Sequence, residues 1–237
     1  MRYISILIFL TIFLVACKKK EVNLISAPTI SSTITYNTNL TYGSVKDVDG
    51  NTYKTITISG EEWMAENLKV TRYNDSTPIP FVFDSVAWIN LSDAGYCLYK
   101  NNPTNKDLYG LLYNYYVIST KNVCPKGWHI PSDEEWSNLT NVLGTSVVAG
   151  GKMKEAGDSH WIGLNELTSN SSGFTALPGG VRDYDGVMVG QRYMGYWWTS
   201  LEQSADFAYV RYLHNDAHCE RSYILKNYGI SIRCLKD

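Results

Sequence analysis

The strongest structural signal in this chain lies in the segment Cys124-Pro125-Lys126-Gly127-Trp128-His129-Ile130-Pro131-Ser132-Asp133-Glu134-Glu135-Trp136. Ser132 is followed three residues later by Glu135, which is the spacing of a capping box, where two residues satisfy each other's free backbone N–H groups at a helix start. The segment therefore predicts a helix from Ser132 to Leu143. A second short helix is expected over residues 147–155, ahead of a glycine.

On the N-terminal side of this segment, the sequence predicts a β-hairpin. Asp49-Gly50 is a two-residue turn signal between residues 45–48 and the alternating run 53–58. A calcium-binding EF-hand loop that starts at Asp47 is the competing interpretation. It is disfavoured because the sixth and twelfth positions of such a loop need glycine and glutamate, and this chain has threonine and isoleucine there.

On the C-terminal side, short β-forming runs alternate with turns, at residues 174–177, 195–200, 208–213 and 229–234. A further helix is expected over residues 111–119, although residues 115–118 also fit a strand. Short helices in the first half and strands in the second predict a single α+β domain with a small, turn-rich antiparallel sheet.

The beginning of the chain is similar to the leader of a bacterial lipoprotein. Arg2 supplies a positive charge, and the apolar run 4–14 is too short to span a bilayer. Small Ala16 precedes Cys17, whose thiol would carry the lipid anchor. An ordinary secretory peptide or an uncleaved N-terminal helix is the alternative. We predict a signal peptide at 1–16, a lipidated Cys17 with a flexible tether over 17–43, and a folded domain at 44–237.

Composition narrows the possible partners. The chain has 21 basic and 23 acidic residues, a balance that gives no sign of a nucleic-acid partner. It contains 18 tyrosines and 7 tryptophans against 6 phenylalanines. Such side chains are common in the binding surfaces of exported proteins and equally common in β-rich cores.

Four cysteines follow the predicted lipidation site, namely Cys97, Cys124, Cys219 and Cys234. An exported protein lies in an oxidising compartment, so two disulfides are expected, in any of three connectivities. A metal site is the competing interpretation, but the cysteines lie far apart and no CxxC pair is present.

Six motifs follow one another along the chain. They are Glu62-Trp63-Met64-Ala65-Glu66-Asn67-Leu68, Tyr109-Gly110-Leu111-Leu112-Tyr113-Asn114, the segment 124–136 quoted above, Asn170-Ser171-Ser172-Gly173-Phe174-Thr175-Ala176-Leu177-Pro178-Gly179-Gly180-Val181-Arg182, Trp197-Trp198-Thr199-Ser200, and Tyr228-Gly229-Ile230-Ser231-Ile232-Arg233-Cys234. In this order they resemble the Fibrobacter succinogenes major paralogous domain (FISUMP) family, in the form found in lipoproteins of the Bacteroidetes. The resemblance covers about residues 45–237.

The resemblance implies a fold similar to that of the C-type lectins and the formylglycine-generating sulfatase-modifying enzymes, a compact α+β domain whose ends meet near a small sheet. It also implies a disulfide between Cys124 and Cys234, which leaves Cys97 and Cys219 as the second pair. It implies no settled activity, because this fold carries sugar binding, protein binding and oxidative catalysis alike.

Known catalytic motifs are missing from the sequence. The catalytic relatives of this fold bind copper through two cysteines spaced C-x4-C near the C-terminus, and Cys219 would need its partner at Ile224. The chain also lacks a GxSxG elbow, an HExxH helix, a Walker A loop and a GxGxxG motif after a strand. We therefore expect a protein that is not an enzyme and that needs no cofactor.

The histidines give no clear metal signal. His214 and His218 lie four apart with Asp216 between them, a spacing that puts both on one face of a strand or helix and is compatible with zinc or copper. We interpret them as polar loop residues, because no third ligand has metal-site spacing, and we predict no metal site. His129 and His160 each stand beside a tryptophan and are interpreted as packing or hydrogen-bonding residues.

The aromatic residues favour a ligand-binding surface. Tryptophan and tyrosine rings stack on the C–H faces of sugars, while nearby polar groups bind the hydroxyls. The turn-rich region after residue 180 concentrates such residues, and the candidate contacts are Arg182, Asp183, Tyr184, Gln191, Arg192, Tyr193, Tyr196, Trp197 and Trp198. Trp197 and Trp198 would point to opposite faces of a strand, so we expect one in the core and the other at a ligand. Ordinary tyrosine-rich loops are an equally good interpretation.

The sequence thus predicts a non-catalytic outer-membrane lipoprotein, facing the periplasm or the cell surface, whose lectin-like domain binds an extracellular ligand such as a glycan. A structural or adhesion protein that binds an envelope protein is the alternative. An unrecognised enzyme of the same fold is the least favoured interpretation.

Overall fold

A computed structural model of the chain describes residues 31–120, 122–163 and 168–237. The predicted signal peptide at 1–16, the lipidated Cys17 and the first part of the predicted tether lie outside the described residues. No helix within the described ranges is both long and apolar enough to cross a bilayer.

Short helices and small antiparallel sheets make up the described residues. The helices are α1 (Ser85–Ile89), α2 (Thr104–Tyr109), α3 (Tyr116–Thr120), α4 (Asp133–Val142) and α5 (Ser146–Met153). The strands are β1 (Gly43–Lys46), β2 (Thr52–Ile58), β3 (Glu61–Met64), β4 (Tyr96–Cys97), β5 (Leu112–Tyr113), β6 (Trp128–His129), β7 (Val181–Arg182), β8 (Met188–Val189), β9 (Gly195–Glu202), β10 (Phe207–Leu213), β11 (Glu220–Leu225) and β12 (Leu235–Lys236). This mixture confirms the predicted α+β class.

The largest sheet joins both ends of the domain. Its strand order is β1-β2-β3-β12-β6, so the last strand pairs with β3 on one side and with β6 on the other. The hairpin predicted around Asp49-Gly50 is confirmed as β1 and β2. Asp47 stabilises the turn of this hairpin. Its carboxylate accepts hydrogen bonds from the Asn51 backbone N–H at 2.9 Å and from the Tyr53 hydroxyl at 2.5 Å.

The helix predicted after Ser132 is confirmed as α4. The Ser132 hydroxyl accepts a hydrogen bond from the Glu135 N–H at 3.2 Å, and the Glu135 carboxylate accepts one from the Ser132 N–H at 2.6 Å. Helix α5 follows where the second helix was predicted. In the ambiguous region 111–119, helix α3 covers residues 116–119, so the helix is confirmed there and the alternative strand over 115–118 was wrong. The beginning of the predicted helix is instead strand β5.

Strand β9, at the edge of the three-stranded sheet β11-β10-β9, is covered on both faces. Trp197 and Trp198 lie in two different hydrophobic clusters, and both are 0% exposed. Their indole N–H groups donate to the Asn67 side-chain oxygen at 2.9 Å and to the Tyr113 carbonyl at 2.8 Å. The prediction that one of the two indoles is left for a ligand was wrong, because both faces of the strand are covered at these two positions.

One of the two predicted disulfides is present. Cys124 and Cys234 form the bridge that the family resemblance implies, and it ties together the segments that precede the adjacent strands β6 and β12. The second predicted bridge was wrong, because Cys97 and Cys219 are free and buried. The two thiols belong to separate hydrophobic clusters, so neither is within reach of the other.

Residues 31–42 lie against the domain, although the predicted flexible tether extended to residue 43. Tyr36, Leu40 and Tyr42 pack on the cluster that contains Trp197. The Thr35 backbone N–H donates a hydrogen bond to a carboxylate 120 positions further along the chain. The polar composition of this segment concealed the contacts, which come from distant parts of the sequence.

Candidate ligand-binding cleft

Three of the predicted ligand contacts belong to the core. Arg182 is 0% exposed, and its guanidinium donates hydrogen bonds to the carbonyls of Val82 at 2.7 Å and Phe83 at 3.1 Å. Trp197 and Trp198 are buried as described above. These side chains hold loops and strands together and offer no surface to a ligand.

Asp183 and Tyr184 lie in the turn between β7 and β8. Gly186 of this turn packs against Ser85 at the start of α1, and its carbonyl accepts a hydrogen bond from the Ser85 hydroxyl at 3.3 Å. Exposed apolar side chains flank this contact on both segments, and we call Phe83, Val86, Tyr184 and Val187 the apolar patch. Each of the four is more than half exposed.

Arg192, Tyr193 and Tyr196 lie in and after the next turn, between β8 and β9. The Arg192 guanidinium donates to the Ser159 carbonyl at 3.4 Å, and Tyr193 is 48% exposed. The ring of Tyr196 stacks on that of Tyr212 with centroids 4.9 Å apart. The predicted contacts therefore do not form one site, since they divide among the core, the apolar patch and this turn.

A polar cleft opens beside the same turn. Its volume is about 360 Å³, within the range of roughly 300–1,000 Å³ that is typical of ligand pockets. The lining residues are Ser31, Ser32, Lys100, Asn102, Thr104, Asn105, Asp107, Leu108, Tyr109 and Gln191. Most of the lining side chains carry a hydroxyl or amide group, so the cleft offers both donors and acceptors of hydrogen bonds, although more of its lining surface is apolar than polar.

One wall of the cleft is the chain that leads into α2. Lys100 and Asn101 have left-handed backbone conformations, with φ of 51° and 53°, and they turn the chain sharply. Asn105 fixes this wall, because its amide donates to the Tyr99 carbonyl at 2.9 Å and accepts a hydrogen bond from the Gln191 side chain at 3.1 Å. The second of these bonds joins the wall to the β8–β9 turn.

Tyr109 brings an unsatisfied group to the cleft. It is 3% exposed, and its hydroxyl is buried with no hydrogen-bond partner among the described residues. Burial raises the pKa of this hydroxyl to about 12, so it keeps its proton near neutral pH. A buried hydroxyl without a partner costs about 1–3 kcal/mol. A water molecule, or a ligand hydroxyl that reached it after a small shift of the covering side chains, would recover this energy.

The opposite wall includes the N-terminal segment, which His160 holds in place. The two ring nitrogens of this buried histidine face the Glu155 carboxylate and the Ser31 carbonyl, the latter at 2.9 Å. Burial lowers the pKa of His160, but the hydrogen bonds to Glu155 and Ser31 and the charge of Glu155 outweigh it, so the pKa is raised overall. Both partners are acceptors, so both nitrogens donate when the imidazole is protonated, and His160 then positions Ser31 at the cleft.

The charges that line the cleft are balanced. They are the ammonium of Lys100 and the carboxylate of Asp107. Asp107 also lies 3.4 Å from the Lys69 ammonium. A neutral, hydroxyl-rich ligand suits these walls better than a strongly charged one does, because no excess of either sign is present.

Sequence reasoning identified Gln191 but missed the wall that leads into α2, to which Gln191 is hydrogen-bonded. Asn101-Asn102-Pro103 combines a turn signal with amide side chains, and this combination could have indicated a polar loop with binding capacity. Tyr109 belongs to one of the six motifs, yet nothing in the sequence indicates that its hydroxyl is buried without a partner.

Comparisons with known proteins place the domain in a family. A family model described as the Fibrobacter succinogenes major domain matches residues 56–236, which is most of the chain. Comparison with curated protein sequences gives no significant match, and neither does comparison with solved structures.

Proposed function

The chain belongs to the Fibrobacter succinogenes major domain family, and we propose that it is a non-catalytic envelope lipoprotein that binds a hydroxyl-rich extracellular ligand, in the first place a glycan, in the polar cleft. The proposal places an acyl anchor on Cys17 and the protein at the outer membrane. The sequence Leu14-Val15-Ala16-Cys17 supports the anchor. A lectin-like fold is part of the same proposal.

The buried Tyr109 hydroxyl beside the cleft is the observation that carries this proposal. Folded proteins pair nearly all of their buried polar groups, and of the unpaired ones among the described residues the Tyr109 hydroxyl belongs to a residue that lines the cleft, which favours a ligand atom or a water molecule as its partner. The amides of Asn102, Asn105 and Gln191 line the same cleft and supply further partners for hydroxyl groups.

The free cysteines support a non-catalytic role. Burial raises the pKa of Cys97 to about 12, and it also raises the pKa of Cys219. Thiols of this kind stay protonated, and a thiolate is the form that attacks substrates and binds copper. The two cysteines therefore lack the reactivity that the oxidative enzymes of related fold require.

A glycan array probed with the full chain tests the proposal. The informative variant is Tyr109→Phe, which removes only the hydroxyl. Since that hydroxyl has no protein partner among the described residues, the thermal midpoint should stay the same or rise. Affinity for the bound glycan should fall by about 5–10-fold, which is the loss expected when one hydrogen bond to the ligand is removed.

Tyr223→Phe is the matched control, since Tyr223 is 52% exposed on β11 and does not line the cleft. It should leave both the affinity and the thermal midpoint unchanged. Absence of binding to every glycan on the array would overturn the glycan assignment. Binding that Tyr109→Phe leaves intact would show that the ligand occupies another surface.

The apolar patch favours a second candidate function, the binding of an envelope protein. Val86 and Phe83 are 66% and 62% exposed, and exposed apolar side chains that lie together often mark protein contacts. A photocrosslinking amino acid at Val187 should then capture one defined partner in cells. The same amino acid at Val148, which is 43% exposed on α5, should capture none. A lack of any stable adduct at Val187 would count against this candidate.

A further inference from the structure

Three potential metal ligands meet where β10 is joined to β11. The side chains of Asp216, His218 and Glu220 are 46%, 43% and 42% exposed, so an ion in solution has access to them. One ligand atom from each lies within 4.8 Å of the others. His218 Nδ1 is 3.7 Å from an Asp216 carboxylate oxygen and 3.5 Å from a Glu220 carboxylate oxygen.

The two distances from His218 Nδ1 are closer to the spacing of metal ligands than to the length of a hydrogen bond, and the side chains, whose ligand atoms lie within 4.8 Å of one another, would close further around an ion. An N–H···O hydrogen bond has a length of about 2.7–3.2 Å, which is shorter than both. Two ligand atoms on a tetrahedral zinc ion, each about 2.0–2.1 Å from the metal, lie about 3.3 Å apart. We propose that Asp216, His218 and Glu220 bind a divalent transition-metal ion such as Zn²⁺. This proposal is independent of the ligand cleft.

The backbone that carries the three ligands is fixed by α5 and the residue after it. The buried Lys154 ammonium donates hydrogen bonds to the carbonyls of His214 and Asp216. The Gly151 N–H donates to the Ala217 carbonyl at 3.1 Å. The ligand positions are therefore largely set before an ion arrives, which reduces the entropy lost on binding.

Close contact between α5 and this loop adds to the rigidity. A Cβ atom at Gly150 would lie 2.1 Å from the His218 carbonyl oxygen, so only glycine permits the approach. The Cys219 N–H donates to the Ser146 carbonyl at 2.7 Å. The loop is thus bonded to both the beginning and the middle of the helix.

The carboxylates of Asp216 and Glu220 are each oriented by a hydrogen bond to one oxygen, and the other oxygen faces the His218 imidazole. One Asp216 oxygen accepts a hydrogen bond from the His218 backbone N–H at 3.0 Å, and the other faces the imidazole. One Glu220 oxygen accepts a hydrogen bond from the Tyr212 hydroxyl, and the other faces the imidazole. Hydrogen bonds of this kind hold metal ligands in place and raise the affinity of a site.

The ligand set indicates the class of metal. One imidazole with two carboxylates suits zinc and similar divalent ions, whereas Ca²⁺ and Mg²⁺ prefer oxygen ligands alone. Three protein ligands also leave a coordination position open to water. Sequence reasoning missed this site because it paired His214 with His218 and overlooked Glu220. The alternation of Asp216, His218 and Glu220 is the signal, since alternate residues of an extended chain share a face.

Isothermal titration of the full chain with Zn²⁺ tests the proposal. For this experiment Cys17 is replaced by serine (Cys17→Ser), so that its thiol does not bind the metal. We expect one Zn²⁺ per chain. His218→Ala should lower the affinity for Zn²⁺ more than 100-fold. Tyr212→Phe should lower it about 10-fold, because it removes the hydroxyl that orients the Glu220 carboxylate. Ca²⁺ and Mg²⁺ should not bind at the same concentrations.

His129→Ala is the matched control. His129 also lies between two carboxylates, but its ring nitrogens are already at hydrogen-bond distance, 2.7 Å from Asp237 and 3.1 Å from Glu135. This variant should bind Zn²⁺ as the parent does. Co²⁺ in place of Zn²⁺ should give d–d absorption without thiolate charge transfer. No binding to the folded parent, or binding that survives His218→Ala, would overturn the proposal.

Discussion

Removal of the Cys124–Cys234 disulfide is expected to cost the domain a large share of its stability. The two cysteines are separated by 110 positions. In the loop-entropy treatment, opening a closed loop of that length destabilises the folded state by about 5 kcal/mol at 25 °C. Domains unfold with free energies of about 5–15 kcal/mol, so the bridge supplies a third or more of the total. With a urea m-value of about 2.5 kcal/mol per molar, Cys124→Ala/Cys234→Ala should lower the midpoint of urea unfolding by about 2 M.

A reductant supplies the control, because Cys97 and Cys219 are free. Dithiothreitol should lower the unfolding midpoint of the parent by the same amount and leave that of the double variant unchanged. A double variant that still lost stability on reduction would contain a second disulfide. A parent that was insensitive to reductant would refute the reasoning from loop entropy.

Two further substitutions test the packing around the cleft and the proposed metal site. His160→Leu removes the charged partner of the buried Glu155 carboxylate, which keeps the hydrogen bond from the Thr35 N–H, at a cost of about 3–5 kcal/mol in urea unfolding at pH 6. Because the pKa of His160 is raised on folding, its stabilisation is complete below the unfolded value of about 6.5 and is lost as the pH rises through the folded value. The difference between parent and variant should therefore shrink from pH 6 to pH 8.5, and a constant difference would contradict the charged pair. Gly150→Ala should lower stability in thermal unfolding by about 1–3 kcal/mol, because the new methyl group collides with the His218 carbonyl; an unchanged midpoint would show that the loop is not held against α5.

The elements that the sequence predicted well are those that depend on neighbouring residues. The capping box of α4 joins Ser132 to Glu135, and the β1–β2 turn depends on residues 47–51. In each case a short window contains all the partners. The helix and the hairpin could therefore be recognised without knowledge of the rest of the fold.

The errors concern contacts between distant parts of the chain. The burial of Trp197 and Trp198 depends on what covers each face of β9, which no local pattern records. The N-terminal segment is held by residues more than 100 positions away, such as Glu155. Cys97 was paired with Cys219 only because both were left over, and the core keeps them in separate clusters.

The motifs that resemble the family meet in the interior of the domain. The Asn67 side-chain oxygen accepts hydrogen bonds from the Trp197 indole and from the Arg233 guanidinium, both at 2.9 Å. Its amide donates to the Tyr109 carbonyl at 2.9 Å. Arg233 is 1% exposed and also donates to the Thr175 carbonyl at 2.9 Å. Five different motif segments are thus joined around buried polar groups.

Family membership therefore identifies the scaffold and leaves the ligand open. Side chains whose donors and acceptors are paired with one another inside the domain are not available to bind an external molecule. Nine of the ten residues that line the cleft lie outside the motifs, with Tyr109 as the exception, and so do the apolar patch and the Asp216, His218 and Glu220 cluster. Two proteins with the same motifs can consequently share this fold and bind different ligands. The segments between the motifs are where the specificity of each must be sought.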